Sequence, residues 1–391
     1  MDTLLKDDIL TIDVLSGLAK RVATYDRENR FFSEDFEILK KGGYLTIGVP
    51  KELGGRGLTL AETARLQRTL AYHAPATALG INMHVYWIGV AADLWRSGDK
   101  TLEWMLREAM AGEVFAAGHS ERGNDLPMLL STAKAEKASG GFKFTGHKMF
   151  GSLAPVWTRY GLHALWADAD GGPKVVHAFM PRNADGYKIV ETWDTMGMRA
   201  TRSDDVVLDG AFVPDKYIAR ILPAGGVDPF VLAVFAWALV GFANIYYGMS
   251  QRAADLAAAA VKGKKSLAVS RTMAYHPEVQ HSMAQLMLTL DPVGPHLEQV
   301  ARDWSDGVDH GATWPSKIVS AKHHAVEACW KIVDIAMELS GGAGMFRGNE
   351  LERLFRDARC GRFHPANSAL VHEIVAKTAL GIDLGEQPRW G

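Results

Sequence analysis

Two long runs without charged residues constrain this chain more than any other feature. Residues 74–92 and 229–251 contain no Asp, Glu, Lys or Arg, and each run is long enough to cross a bilayer. Both runs, however, carry Gly, Asn and aromatic residues along their length, and neither has the flanking Lys and Arg asymmetry that orients membrane helices. We therefore expect two helices that are apolar on all sides and lie at the centre of a large bundle, in a protein with no membrane partner.

Composition supports a globular protein. The chain has 391 residues, 48% hydrophobic and 23% charged, which is enough for two or three domains around a large core. Its 43 basic and 45 acidic residues leave a net charge of -2, so we expect no nucleic-acid partner. The two cysteines, Cys329 and Cys360, form neither a disulfide framework nor a CxxC pair. The N-terminal MDTLLKDD carries acids where a signal peptide carries lysines, which predicts a cytoplasmic protein.

The pattern of apolar residues divides the chain into three parts. Apolar residues at helical spacing predict a helix over residues 5–30 and another over Leu60–His73, and helical structure to about residue 113. From residue 114 to 223, short alternating runs such as FKFTG and VVHAFM stand between glycine turns with no helix between them, which favours an antiparallel barrel or sandwich. Helical spacing then returns. The further predicted helices are residues 230–261, 278–304, 317–339, 351–359 and 368–380.

We therefore predict three domains. They are an N-terminal helical domain over residues 1–113, a central β domain over residues 114–223 and a C-terminal helical bundle over residues 224–391. The fold class is α+β and mostly helical. The sequence contains no dinucleotide-binding glycine fingerprint.

The segment over residues 341–373 combines a glycine turn, many arginines and a loop with His364. Its charges fit a solvated helix face held by ion pairs between residues four apart, and they equally fit an anion site at the helix ends. His364 precedes a proline and therefore lies in a loop, either as a surface residue or as an acid/base group that titrates near neutrality. Adjacent His323 and His324 point to different helix faces, so we expect no metal site. The run GHSERG misses the GxSxG nucleophile motif by one place, which disfavours a serine hydrolase.

With these segments in view, the whole chain resembles the acyl-CoA dehydrogenase superfamily of flavoproteins. The resemblance is carried by GGYLTIGVPKELGGRGLTL near the N-terminus, by FKFTGHKMF and WDTMGMRATRSDDVVLDGAFVP in the β region, and by AMELSGGAGMFRGNELERLFRDAR near the end. It implies a helical N-terminal domain, a central antiparallel β barrel and a C-terminal four-helix bundle. It also implies a homotetramer or homodimer with FAD bound at a subunit interface.

The resemblance also implies cofactor-binding positions. The loop that lies against the flavin ring in the family is similar to Ala117–Ser120 with Asp125, although SERGND is shorter than the usual loop. Five further groups follow from the matching motifs. Phe150 would stack beside the flavin, and Ser152 would hydrogen-bond to it. Arg271 would reach the pyrophosphate of a neighbouring subunit's FAD, and the adenine half would be received by Glu338, Gly341 and Gly342. Asn367 stands where a threonine usually meets the cofactor.

One departure from the family pattern concerns the catalytic base. Dehydrogenases of this family use a glutamate to remove the α proton of an acyl thioester, and Pro365 occupies its usual place. A second family location corresponds to about Ala238 and Leu239, again without a carboxylate. His364 is then the candidate catalytic residue. A histidine here is similar to the flavin-dependent monooxygenase branch of the superfamily, such as dibenzothiophene monooxygenase.

Three functions follow from the sequence. The first is FAD-dependent α,β-dehydrogenation of an acyl thioester with an unusual base, with an electron-transfer partner as acceptor. The second is a two-component monooxygenase that uses reduced FAD or FMN from a flavin reductase. The third is a flavin- or acyl-binding protein without turnover. The aromatic residues Tyr86, Trp87, Phe235 and Trp237 predict a pocket for a bulky apolar or aromatic group, and they fit ordinary core positions equally well.

Overall fold

The computed structural model describes residues 8–268 and 270–386. Helices make up the first part of the chain, with short 3₁₀ turns between residues 44 and 53. The helices are α1 (Ile12–Glu28), α2 (Ser33–Lys41), α3 (Leu60–His73), α4 (Pro75–Arg96) and α5 (Glu103–Met110).

Two of these helices begin at side-chain caps that the sequence contains. The Thr59 side chain accepts a hydrogen bond from the amide of Glu62 while the Glu62 carboxylate binds the Thr59 amide, so α3 starts at Leu60 as predicted. The first helix is shorter than predicted. It begins after Thr11, whose side chain accepts a hydrogen bond from the Val14 amide. Ile12, an apolar residue within the predicted helix, is 85% exposed and does not join the core. Leu5 lies outside the described residues.

Eight strands form one sheet in the middle of the chain. They are β1 (Phe115–Gly118), β2 (Lys134–Ala138), β3 (Gly141–Gly151), β4 (Arg159–Trp166), β5 (Lys174–Pro181), β6 (Tyr187–Val190), β7 (Asp204–Pro214) and β8 (Ile218–Pro223). The strand order is β6-β7-β3-β2-β4-β5-β8, and β1 pairs with β4. Most pairings are antiparallel, while β4 pairs in parallel with β1 and with the end of β2. The predicted β domain, dominated by antiparallel pairing, is confirmed.

Helices return after the sheet. They are α6 (Pro229–Gly263), α7 (Pro277–Leu290), α8 (Val293–Ser305), α9 (Trp314–Ser340), α10 (Glu350–Cys360) and α11 (Ser368–Leu380). The helix predicted over residues 278–304 is wrong as one element. It is divided into α7 and α8 at Asp291 and Pro292, because a proline lacks the amide hydrogen that a continuous helix requires.

The long apolar helix α6 is the centre of the protein. It packs against α9 in the C-terminal bundle and against α3 and α4 of the N-terminal part. Contact with α4 is close because Gly89 faces the indole of Trp237, and a side-chain carbon on Gly89 would lie only 2.2 Å from that ring. Among the described helices, α6 is the one long and apolar enough to cross a membrane, but 89% of its most apolar window is buried inside the protein. Both uncharged runs thus form central helices, as predicted.

Candidate active site

A largely apolar cavity of ≈ 340 Å³ lies where α4, α6, the sheet and the segment after α10 meet. This volume is in the range of a site for a small organic molecule. Its wall is formed by Leu79, Met83, Tyr86, Ala117, His119, Ser120, Pro127, Met128, Phe150, Ser152, Trp193, Thr195, Met196, Met198, Thr201, Ser203, Val234, Phe235, Ala238, Leu239, Phe242, Cys360, Phe363, His364 and Pro365.

Seven of the residues singled out in the sequence lie together in this wall. They are Tyr86, Ala117, Ser120, Phe150, Ser152, Phe235 and His364. Phe150 is 46% exposed and adopts a left-handed backbone with φ 59°, at an irregularity where β3 loses register with β7. Such strain in a non-glycine residue re-aims a side chain and is typical of functional sites. Its ring meets Trp193 edge to face at 5.9 Å between the ring centres.

Two of the predicted pocket aromatics lie in the protein core instead. The Trp87 indole donates a hydrogen bond to the Ala116 carbonyl at 3.1 Å, and the Trp237 indole donates one to the Asp93 carboxylate at 2.6 Å. Both side chains are about 1% exposed and are absent from the cavity wall. An indole needs a partner for its N–H when buried, and these partners direct the rings away from the cavity.

The positions predicted to bind the distal half of the cofactor lie outside this cavity. Arg271 is exposed, and its guanidinium stacks on the Tyr275 ring at 4.7 Å. Glu338 and Gly342 are exposed at the end of α9. Gly341 ends that helix with φ 70°, a conformation that favours glycine. None of these four residues lines the cavity.

Two other predicted cofactor residues are also outside the wall. Asp125 is exposed in the loop after β1. Asn367 caps α11, because its side-chain oxygen accepts a hydrogen bond from the Leu370 amide at 3.0 Å. The cap accounts for this asparagine without a cofactor.

A row of hydroxyl groups in the cavity wall was missed in the sequence. The Ser152 and Ser203 hydroxyls lie 2.7 Å apart, and Ser203 lies 2.7 Å from the hydroxyl of Thr201. Thr201 in turn donates to the Met198 carbonyl at 2.9 Å. The sequence indicated only Ser152, because Thr201 and Ser203 belong to the segment ATRS, more than 45 residues later in the chain. These hydroxyls form one polar patch in a largely apolar wall.

Helix α10 holds the loop over residues 193–198 against the cavity. The Asp357 carboxylate accepts a hydrogen bond from the Met198 amide at 2.5 Å, and Arg356 donates to the Met196 carbonyl at 2.8 Å. Gly197 passes so close that an added side-chain carbon would lie 2.4 Å from the Arg356 carbonyl oxygen. Burial raises the pKa of Asp357 to about 6, against the lowering effect of its bond to Met198. The RDAR helix is therefore a support for the site.

His364 lies in the wall with its ring held on two sides. Its Nε2 atom is 2.9 Å from the Tyr246 hydroxyl, and its ring stacks on Phe242 at 4.8 Å between the ring centres with a 14° angle. Burial, followed by the nearby Lys322 cation, lowers the pKa of His364 to about 3. This low pKa disfavours the alternative in which His364 titrates near neutrality, and it keeps the imidazole neutral at physiological pH.

The loop that carries His364 is fastened by a buried lysine on α9. The Lys322 ammonium donates to the carbonyl of His364 at 2.9 Å and to the carbonyl of Ala366 at 3.0 Å. Its side chain has no carboxylate within ion-pair distance in the described part of the chain, and burial lowers its pKa to about 8. Nothing in the sequence pointed to Lys322, because its partners lie more than 40 residues away.

A second histidine in the wall, His119, lies within the predicted Ala117–Ser120 loop, although no role was predicted for its side chain. Its Nδ1 lies 3.3 Å from Nδ1 of His163. Burial, followed by the charges of His177 and Lys148, lowers the pKa of His119 well below its usual value. His119 and Ser120, both in the GHSERG run, line the cavity together.

The cavity wall contains no carboxylate among the described residues. Pro365, Ala238 and Leu239, which the sequence resemblance aligns with the two family positions of a catalytic glutamate, all line it. Neutral His119 and His364 are its imidazoles. The wall can therefore accept or donate hydrogen bonds, but it offers no carboxylate to remove a proton from carbon.

Comparison with known protein families shows which family the chain belongs to. The profile described as "Acyl-CoA dehydrogenase, N-terminal domain" matches residues 15–103, and the profile "Acyl-CoA dehydrogenase, C-terminal domain" matches residues 240–369. The chain belongs to the acyl-CoA dehydrogenase family. The family supports a flavin-dependent oxidoreductase, and the resemblance noted in the sequence is confirmed.

Individual relatives cover nearly the whole chain. L-evernosamine nitrososynthase from a Micromonospora species is 28% identical over 95% of this chain and 90% of its own length. Putative acyl-CoA dehydrogenase YdbM from Bacillus subtilis is 27% identical over 90% of this chain and 91% of its own. The structure of KijD3 with FMN and a dTDP-linked 3-amino-4-keto sugar superposes with a TM-score of 0.85, at 26% identity, over 95% of this chain and 92% of the other.

The residues at the cavity fit the ring system of a flavin. Phe150, Met196 and Phe363 are exposed apolar side chains at the rim, with 46%, 49% and 66% of their surface accessible, and a flat aromatic ring would cover them. Ser152 and Ser203 supply the hydroxyls that a ring edge with nitrogen and oxygen atoms needs. A flavin can thus be held between the apolar rim and the hydroxyl row.

Proposed function

We propose that this protein is a flavin-dependent monooxygenase that transfers an oxygen atom to the nitrogen of an amine. The observation that carries the proposal is that no carboxylate lines the cavity among the described residues; Pro365, Ala238 and Leu239, which the resemblance aligns with the family's base positions, are part of its wall. Dehydrogenation of an acyl thioester depends on such a base, and general base catalysis contributes roughly 10²- to 10⁴-fold. A reaction that needs no proton abstraction from carbon suits this wall better.

The proposed reaction accounts for both oxygen atoms and for all electrons. A reduced flavin bound here would supply two electrons to dioxygen, so that one oxygen atom would join the amine nitrogen as a hydroxylamine, the other would leave as water, and the flavin would be oxidised. The apolar side chains of Phe235, Leu239 and Met83 exclude bulk water from the cavity, which protects a reactive oxygen species from unproductive decay. The hydroxyls of Ser152 and Ser203, 2.7 Å apart, would orient the edge of the flavin ring.

An amine is the substrate class that the relatives support. One relative is named for forming a nitroso group on L-evernosamine, and the bound ligand of KijD3 is a 3-amino sugar nucleotide. The wall here has no carboxylate to hold an ammonium ion, so the amine binds as the neutral base with its lone pair available for attack. Tyr86 and Phe235 bound the cavity for an apolar part of the substrate.

The assembly and the partners are also proposals. We infer that FAD bound across a subunit interface of a homotetramer or homodimer is the cofactor, with exposed Arg271 reaching the pyrophosphate of a neighbouring subunit. FMN is the alternative, because KijD3 was solved with FMN. A separate flavin reductase supplies the reduced flavin, and the setting is the cytoplasm.

A pair of incubations tests the proposed function. The protein is first mixed anaerobically with oxidised flavin and a panel of acyl-CoA thioesters, and the flavin absorbance should stay unchanged. It is then supplied in air with a flavin reductase, NADH and a panel of primary amines, including aliphatic amines and amino-sugar nucleotides. At least one amine should be converted to a hydroxylamine, detected by mass spectrometry. Bleaching by an acyl-CoA in the first incubation would overturn the proposal.

A further inference from the structure

We propose that Tyr246 fixes the neutral imidazole of His364 as the tautomer with its proton on Nδ1, so that this part of the cavity wall presents a hydrogen-bond donor and not a base. The two side chains come from α6 and from the segment after α10, 118 residues apart. Tyr246 is not itself part of the cavity wall. It is therefore a positioning residue that acts through His364.

The first step concerns the proton of the Tyr246 hydroxyl. Tyr246 is fully buried, and burial raises the pKa of its phenol well above the usual value, so the hydroxyl keeps its proton. A buried hydroxyl proton needs an acceptor. Within the described ranges, the hydrogen-bond partner of this hydroxyl is Nε2 of His364, at 2.9 Å.

The second step assigns the proton of the imidazole. If Tyr246 donates to Nε2, that nitrogen must offer its lone pair, and the single proton of a neutral imidazole is then on Nδ1. In the opposite arrangement Nε2 would donate to the phenol oxygen, and the phenol proton would point into the core without an acceptor. Leaving a buried donor unpaired is unfavourable, so the first arrangement is the stable one.

The third step explains why the ring stays neutral and in place. Lys322 lies beside His364 and donates a hydrogen bond to its carbonyl oxygen, and its ammonium charge disfavours a positive charge on the nearby imidazole. Stacking on Phe242 fixes the ring plane. Nδ1 of His364 has no hydrogen-bond partner in the described part of the chain, and the residue lines the cavity. The Nδ1–H group is thus the polar edge that a ligand can meet.

The role of this donor rests on the proposed function. When dioxygen is reduced, negative charge develops on oxygen, and a preorganised N–H in a water-poor cavity stabilises such charge. A neutral imidazole in this tautomer cannot accept a proton from the substrate on Nδ1. We therefore assign His364 to hydrogen-bond donation at the oxygen, with Tyr246 setting its direction.

Nitrogen NMR tests the tautomer independently of any reaction. The purified full-length protein is labelled with ¹⁵N-histidine, and the two ring nitrogens of His364 are identified by the signals lost in His364→Gln. We expect Nδ1 to have the chemical shift of a protonated nitrogen and Nε2 that of an unprotonated one. In Tyr246→Phe the signals should move to the Nε2–H form or to a mixture, whereas Tyr247→Phe, at the next position of α6, should leave them unchanged.

The outcomes separate this inference from the proposed function. A protonated Nε2 in the wild-type protein, or an unchanged tautomer in Tyr246→Phe, would overturn the assignment. If Tyr246→Phe does not fold, the wild-type spectrum alone decides. Where an amine substrate is found, Tyr246→Phe should lower kcat by roughly tenfold or more with KM within about twofold, as expected for a group felt mainly in the transition state. A confirmed tautomer with no oxygenation of any amine would reject the proposed function alone.

Discussion

The amide nitrogen of Met198 lies 2.5 Å from the carboxylate of Asp357, and this hydrogen bond joins the cavity loop between the strands to helix α10. The two residues are 159 positions apart. Because the carboxylate is 2% exposed, its ionisation is tied to the folded state of the protein.

Asp357 should make stability depend on pH in a defined window. Its pKa is about 6 in the folded protein and 3.8 as the ordinary value, so between these pH values the folded state keeps a proton that the unfolded state has lost. Stability from this group therefore falls as pH rises through this window, by about 3 kcal/mol over the whole titration and by about 2 kcal/mol between pH 4 and pH 7. Asp357→Asn keeps an oxygen for the Met198 amide and lacks this titration.

Urea unfolding of the wild type and of Asp357→Asn at pH 4 and pH 7 measures the effect. From pH 4 to pH 7, the unfolding free energy of the wild type should fall relative to that of Asp357→Asn by this amount. Asp334→Asn, an exposed acid on α9, is the control and should show no such gain. An equal difference between wild type and Asp357→Asn at both pH values would contradict the raised pKa.

Lys322 should control the mobility of the loop that carries His364. Lys322→Met removes both donors to the carbonyls of His364 and Ala366. At about 1 kcal/mol for each lost hydrogen bond, amide exchange over residues 361–367 should become roughly tenfold faster or more. Hydrogen-exchange mass spectrometry measures this rate. Lys331→Met, at an exposed position of the same helix, should not change it. Unchanged exchange in Lys322→Met would mean that the lysine does not hold the loop.

Phe235 and Trp237 provide a matched pair on α6. Phe235 lines the cavity, so Phe235→Ala should raise the KM of the substrate with a limited loss of stability. Trp237 is 1% exposed and bonded to Asp93, so Trp237→Ala should cost about 3–5 kcal/mol of unfolding free energy. Thermal unfolding and steady-state kinetics on both variants check this. Full stability of Trp237→Ala would show that the indole is not a core residue.

Arg271 should distinguish the two flavins. If its guanidinium reaches the pyrophosphate of FAD, Arg271→Ala weakens FAD binding by roughly tenfold or more, in line with loss of a charge-assisted contact, and leaves FMN binding nearly unchanged. Fluorescence titration with each flavin gives both affinities. Arg302→Ala, at a 59% exposed arginine side chain on α8, is the control. Equal retention of FAD by Arg271→Ala would reject the pyrophosphate role.

Much of the fold could be predicted from local patterns. Helices α3 and α11 begin where Thr59 and Asn367 cap them, and caps of this kind are legible in a sequence. The change to alternating residues near position 114 marks the first strand at Phe115. The division between α7 and α8 was also legible, since Pro292 stands in the middle of the predicted helix, but the apolar spacing on both sides concealed it.

The site was harder to predict from the sequence than the fold. A helix that is apolar on all sides gives no sign of which face meets a cavity, so Phe235 and Trp237 could not be separated. The partners of His364 are Tyr246 and Lys322, and their contacts depend on how α6, α9 and the loop pack. Long-range pairs of this kind have no signature in the spacing of residues. The neutrality of His364 likewise follows from burial, which only the fold provides.

The fate of molecular oxygen tests the central claim most directly. The protein is incubated with a flavin reductase, NADH, a converted amine and ¹⁸O₂, and the product is weighed by mass spectrometry. The account predicts one ¹⁸O atom in the hydroxylamine product, with none incorporated from labelled water. A hydroxylamine product without ¹⁸O from dioxygen, or with oxygen incorporated from labelled water, would contradict it.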